Sequence, residues 1–316
     1  MRALQIIQRE VVVALSRIGL KRVTTNYFGM RLVSPTIYGI VSGGYLVPGE
    51  LWMSECLEAF ITTRKGCVID VGSNVGLYLV KLRVLSREVA YYGVEPNHAC
   101  NFYLQELIRL NGFGKTMILP FVFSDHQGVG MLYAGGRGSK RGSVRASYRP
   151  DTNLVHSFEA YFAIGDEVVY SLDLSEIAVI KIDVEEGELE VLRGLVRTID
   201  TYRPYIFCEI LATGGDGERE DRARQICELI REKGYSILAV TRQGRILEEV
   251  EDIGRVGKDY LRDYIFSPRE LVTDFQMAVG RNRTGRSRQW NARYRKNRQP
   301  TNSIISAAQA SGEDGL

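Results

Sequence analysis

From Cys67 onward the chain alternates short apolar, β-branched runs with longer stretches whose apolar residues recur at helical spacing. That rhythm is the pattern of a parallel sheet covered on both faces. Residues 67–71, 89–94, 116–122, 178–182 and 204–209 are predicted strands. Residues 75–86, 98–111, 186–201 and 219–233 are predicted helices, the last stopped by Gly234. Beyond Gly234 the order changes, and residues 236–241, a Gln243-Gly244 turn and residues 263–267 read as a closing antiparallel pair. The expected fold is α/β, a doubly wound, mostly parallel sheet with an antiparallel edge strand.

Two regions break the rhythm. Near the start, Leu4, Ile7, Val11, Leu15 and Ile18 recur at helical spacing, so residues 1–44 are expected to be a helical extension packed on the main domain, residues 45–270. Arg9, Glu10 and Arg17 interrupt the apolar run short of membrane-spanning length, and no signal peptide or anchor is read there. Residues 134–167 interleave Gly135, Gly136, Gly138 and Gly142 with Arg137, Lys140, Arg141 and Arg145, and are expected to form a long irregular segment near a ligand.

Charge and cysteine usage narrow the picture. Arg281 to Arg298 holds eight basic residues and no acid; residues 281–316 carry +6 of the total +3, leaving −3 on the rest. Residues 271–316 are therefore expected to be a basic, disordered tail, and a globally basic nucleic-acid surface is absent. The five cysteines are odd in number and contain no C-x-x-C pair. A reducing compartment, the cytoplasm, is the expected location.

The strongest chemical signal is the run from Val68 to Tyr78, a strand entering a glycine turn that opens a helix. Gly72 and Gly76 allow a sharp turn with backbone N–H groups facing a ligand. Their spacing, G-x-x-x-G, is neither the dinucleotide fingerprint nor the phosphate loop, which disfavours a pyrophosphate cradle. Glu95 ends the next strand, 23 residues after Gly72, where an acid can accept both ribose hydroxyls of an adenosine. Asp125 follows the strand after that, where a carboxylate can meet an adenine amino group.

These pieces, with Leu172-Asp173-Leu174, the run from Ile180 to Glu188, residues 204–210 and residues 264–268, make the chain resemble an FkbM-type methyltransferase, a branch of the class I S-adenosylmethionine enzymes. Members of that family typically carry Gly-Ala where Glu186 and Gly187 stand here, and often a histidine where Leu211 stands. The resemblance implies S-adenosylmethionine as donor. By it, Gly72, Asn74 and Gly76 would hold the methionine part, Glu95 the ribose and Asp125 the adenine, with Asp70 reaching the amino group through water.

A hydroxyl acceptor must lose its proton, and a positioned carboxylate can take it. Asp183 and Glu185 follow one predicted strand and Glu209 ends the next, at one sheet edge, and these are the candidate bases, Asp183 first among them. Glu188 also reads as a first-turn acid facing the helix dipole. Hard oxygen ligands suit Mg²⁺ or Ca²⁺, but no spacing here is diagnostic of a metal. Lys181, in a strand buried on both faces, is expected to pair with a neighbouring acid. Of His98, His126 and His156, only the last is placed to reach an acceptor. The expected activity is O-methylation of a hydroxyl on a sugar, glycan or natural product. The rivals are an RNA or protein methyltransferase using the basic tail, and a non-catalytic nucleoside-binding or partner-binding module.

Overall fold

The computed structural model describes residues 21–37, 50–134, 142–143, 156–211, 217–241, 246–253 and 260–285. The amphipathic stretch in residues 1–20, the Gln243-Gly244 turn, most of the Gly/Arg-rich segment and the tail beyond residue 285 lie outside them.

Inside the segment expected to be helical, β1 (Arg22–Tyr27) and β2 (Met30–Pro35) form an antiparallel hairpin instead. The β-branched Val23, Thr24 and Thr25 suit a half-buried strand, and Gly29 supplies the positive φ of the turn. α1 (Leu51–Thr63) leads into β3 (Cys67–Val71), α2 (Leu77–Leu85), β4 (Tyr91–Val94), α3 (His98–Asn111) and β5 (Thr116–Leu119). Asn97 caps α3 by accepting from the backbone N–H groups of Ala99 and Cys100.

The strand predicted over 116–122 is split. Pro120 has no N–H for the ladder, and the chain leaves β5 to start β6 (Val122–Ser124) in a second sheet with β7 (Gly128–Ala134), β8 (Gly142–Ser143) and β9 (His156–Ile164). Where residues 134–167 were expected to be irregular, residues 156–162 pair antiparallel with β7 and residues 162–164 pair parallel with β6. The missed signal is the period-2 alternation of Phe158, Ala160 and Phe162, which bury against Leu132 and Val122.

α4 (Gly165–Ser171) precedes β10 (Ile177–Ile182). The helix predicted over 186–201 is two helices, α5 (Glu188–Gly194) and α6 (Val196–Tyr202), broken where β6 presses on Gly194: a Cβ there would lie 1.9 Å from the Ser124 carbonyl oxygen. β11 (Tyr205–Glu209), α7 (Gly217–Glu232), β12 (Tyr235–Thr241), β13 (Ile246–Glu249) and β14 (Tyr260–Pro268) follow.

The main sheet has the order β13-β12-β14-β11-β10-β3-β4-β5. β11, β10, β3, β4 and β5 run parallel. β12 and β14 pair antiparallel as expected, but β14 lies inside the sheet, between β11 and β12, and the edge is β13. An interior place suits β14, whose Tyr264, Ile265 and Phe266 are buried.

Side chains alternate across the sheet and feed two cores. Val68, Tyr91, Val179, Tyr205 and Phe207 join residues of α1, α2 and α3 on one face, while Ile69, Ile180, Ile182, Ile206 and Cys208 join α5, α6 and α7 on the other. The first core also takes Phe275, Ala278 and Val279 of α8 (Val272–Gly285), with Phe275 stacked on Phe60 at 4.9 Å between ring centroids. The expectation of a tail from residue 271 is corrected accordingly: its first turns have an apolar stripe and pack on α1. No helix among the described residues is long and apolar enough to cross a membrane.

Candidate active site

The carboxyl ends of β3, β4, β10 and β11 and the beginning of β14 meet at one edge of the sheet. Register decides which side chains converge there. Lys181 of β10 is the direct partner of Asp70 in β3, so the two project to the same face and their charged atoms lie 3.0 Å apart. Both are buried. The Tyr91 hydroxyl donates to the other Asp70 oxygen. Asp70, expected to reach a donor's amino group through water, has its carboxylate against Lys181 and the Tyr91 hydroxyl inside the sheet.

Lys181 also lies 3.4 Å from Asp183 and donates to the Gly72 carbonyl at 3.3 Å. The glycine turn and the end of β10 are thereby one unit. Gly72 has φ +79°, and a Cβ on it would stand 1.9 Å from the Asp183 carbonyl oxygen, so the glycine is needed first for the approach of two strand ends. Gly76, also left-handed, opens α2 with no side-chain cap and no acid in the first turn.

Glu95, at the end of β4, accepts from the Asn74 N–H at 2.6 Å with one oxygen and from the Asn97 N–H at 2.9 Å with the other. Asn74 thus orients Glu95 through its backbone. Burial pushes the Glu95 carboxyl up to about 7 against the pull of these two bonds. Asp125 stands exposed beyond β6, hydrogen-bonded to His126 at 3.0 Å, and its charge reaches Glu190 of α5.

Asp183, Glu185 and Glu209 are brought together. Burial, then the charges of Asp183, Asp263 and Glu185, push the Glu209 carboxyl up to about 9. Asp263, which the sequence reading missed, faces Glu209 in the β11–β14 register; burial, then Glu50 and Asp183, push it up to about 7. Lys181 is drawn down by burial, but Asp70 and Asp183 outweigh this and hold it above its ordinary value. One ammonium among these carboxyls is insufficient compensation, so the Glu209 carboxyl is held well above its ordinary range. Glu188 accepts from the N–H groups of Val184 and Glu186 with a single oxygen, and burial pushes it up to about 8.

A pocket of about 100 Å³ is lined by Glu186, Glu188 and Arg219 together with the apolar Ile210, Leu211, Ala223 and Ile226. His98 and His126 rest against Phe158 and Phe162 in the second sheet; the side chain of His156 lies outside the described residues. Among the described residues no group of three or more His, Cys, Asp or Glu has metal-holding geometry.

Solved structures similar to this chain include methyltransferase FkbM from Methylobacillus flagellatus (14% identity, 64% of this chain and 43% of that one, TM-score 0.42). Others are a precorrin-6y C5,15-methyltransferase from Geobacter metallireducens (11%, 74% and 97%, 0.38) and TYW2 from M. jannaschii in complex with AdoMet (11%, 78% and 84%, 0.37). The chain thus spans less than half of the FkbM structure it matches. No curated protein matches it by sequence. A family model described as the methyltransferase FkbM domain matches residues 70–237, the stretch from Asp70 in β3 to Ile237 in β12 and more than half of the chain; the chain belongs to that family of methyltransferases.

Proposed function

We propose that the chain transfers a methyl group from S-adenosylmethionine to a hydroxyl of a sugar, glycan or natural product, with Asp183 as the general base. The observation that carries the reading is the placement of Asp183, ion-paired with Lys181 and packed by its carbonyl against Gly72 of the glycine turn, beside Glu209 at the end of the neighbouring strand β11. The residues fit the donor. Each Glu95 oxygen has one backbone N–H bound and a lone pair left for a ribose hydroxyl. The uncapped start of α2 at Gly76 suits a carboxylate, Gly72 brings that turn against β10, and Asp125 is the acid offered to adenine.

When bound, the donor supplies an electrophilic methyl on a sulfonium sulfur. Asp183 accepts the acceptor's hydroxyl proton as the new C–O bond forms and the S–C bond breaks. Lys181 keeps Asp183 oriented toward the strand ends, and the Glu209 carboxyl holds the acceptor oxygen in line by a hydrogen bond, keeping its own proton. Asp70 fixes Lys181 from below.

Asp183→Asn tests this. It preserves shape and removes the base, so S-adenosylhomocysteine affinity should be unchanged while single-turnover methylation of a hydroxylated acceptor falls by about two to four decades. Near wild-type turnover, with strong loss in Glu209→Gln, would move the base to β11. Loss of donor binding would make Asp183 a cofactor residue.

A further inference from the structure

The loop from β10 to α5 holds two successive non-glycine residues in left-handed backbone conformation, Glu185 at φ +56° and Glu186 at φ +82°. Such a pair persists only where the surroundings over-determine it, and here the surroundings are α7. The Glu186 carboxylate receives the Arg219 Nε–H at 2.6 Å, the Glu186 carbonyl receives an Arg222 N–H at 3.0 Å, and the Glu186 N–H is taken by Glu188 at 3.1 Å. All three polar groups of one residue are tied. Arg222 is in turn paired with Glu190 of α5 at 2.8 Å. Residue 185 lies immediately before this pinned residue in the same left-handed stretch, and its charge acts on Glu209.

We propose that Arg219 is a positioning residue, a latch from α7 that holds Glu186 in a glycine-like conformation and so aims Glu185 at the Asp183 and Glu209 pair. The inference rests on the reading of that pair as the acceptor site. The latch is needed because residue 186 carries a side chain. A glycine at 186 adopts positive φ at no steric cost, so it should make Arg219 dispensable.

The test is a cycle of Arg219→Ala, Glu186→Gly and the double variant in the full chain, with Arg219→Lys as the conservative control. The readouts are thermal melting and a ¹³C NMR pH titration of the Glu209 carboxyl, assigned with Glu209→Gln. Neither needs an acceptor, so failure here is distinguishable from failure of the proposed reaction.

Arg219→Ala should melt earlier and bring the Glu209 midpoint down as the Glu185 charge moves away. Arg219→Lys should recover part of both effects. Glu186→Gly alone should leave the Glu209 midpoint unchanged, and Glu186→Gly with Arg219→Ala should restore it. If Arg219→Ala does not fold, folding of the double variant supports the latch, and its failure to fold overturns it. An unmoved Glu209 midpoint in Arg219→Ala, or a double variant as impaired as Arg219→Ala, overturns it as well.

Discussion

Glu95→Gln is usually a mild change, but the geometry at the end of β4 makes it a severe one. Both carboxylate oxygens accept a backbone N–H, from Asn74 at 2.6 Å and from Asn97 at 2.9 Å. A glutamine has one acceptor atom, so whichever way its amide turns, an NH₂ group faces one of those N–H donors. A buried donor then stands unsatisfied, which should cost about 1–3 kcal/mol of folding stability. One ribose hydroxyl also loses its charged acceptor, at about 1.5–3 kcal/mol, or roughly 10- to 150-fold in donor affinity.

The pH dependence adds a second signature. Burial raises Glu95 to about 7, so the carboxylate is protonated below that pH and presents an O–H donor in place of one acceptor. Wild-type affinity for S-adenosylhomocysteine should fall as pH drops through about 7, by at most about tenfold per unit, while the Glu95→Gln profile stays flat. The stability consequence has the opposite sense. A carboxyl raised in the folded state contributes stability that is fully present below the ordinary carboxylate range and lost as pH rises through about 7. Titration calorimetry at about pH 6, 7 and 8, with melting curves on the same samples, measures both. Unchanged affinity in Glu95→Gln together with a flat wild-type profile would refute the ribose assignment.

Glu188→Gln should be mild by the same reasoning, because the Val184 and Glu186 N–H groups share one oxygen and an amide can keep it. With Glu188 raised to about 8, the wild type should lose stability as pH rises through about 8, and the variant should lose less; melting curves between about pH 6 and 9 decide it. Gly72→Ala should fail to fold or lose more than about 3 kcal/mol in urea unfolding, since its Cβ would overlap the Asp183 carbonyl oxygen. Wild-type-like unfolding would show that β3 and β10 can separate freely. Phe275→Ala should cost about 3–5 kcal/mol, because the ring stacks between Phe60 and Tyr205; an unchanged melting temperature would return α8 to the status of a tail.

Read in order, the amino acids alone determine the central strands β3, β4, β10 and β11, the glycine turn after Val71 and the acid at the end of β4. Each of these is written in local period or short spacing, which one segment carries by itself. Lys181 was also legible as an ion-paired lysine, since an ammonium in a strand buried on both faces has no alternative but a partner. The identity of that partner was not. Asp70 lies more than a hundred residues earlier, and only the alignment of β10 on β3 places it across from Lys181. Asp263 escaped for the same reason: it sits in a strand that was foreseen, but a strand foreseen at the edge has no neighbour on both sides. Once β14 inserts between β11 and β12, its register sets Asp263 against Glu209. The break at Pro120, the hairpin at residues 22–35 and the docking of Phe275 are likewise tertiary decisions, because they depend on which distant surface a segment can bury against. Period and spacing specify what a segment can become; register between distant strands decides which charges must face one another.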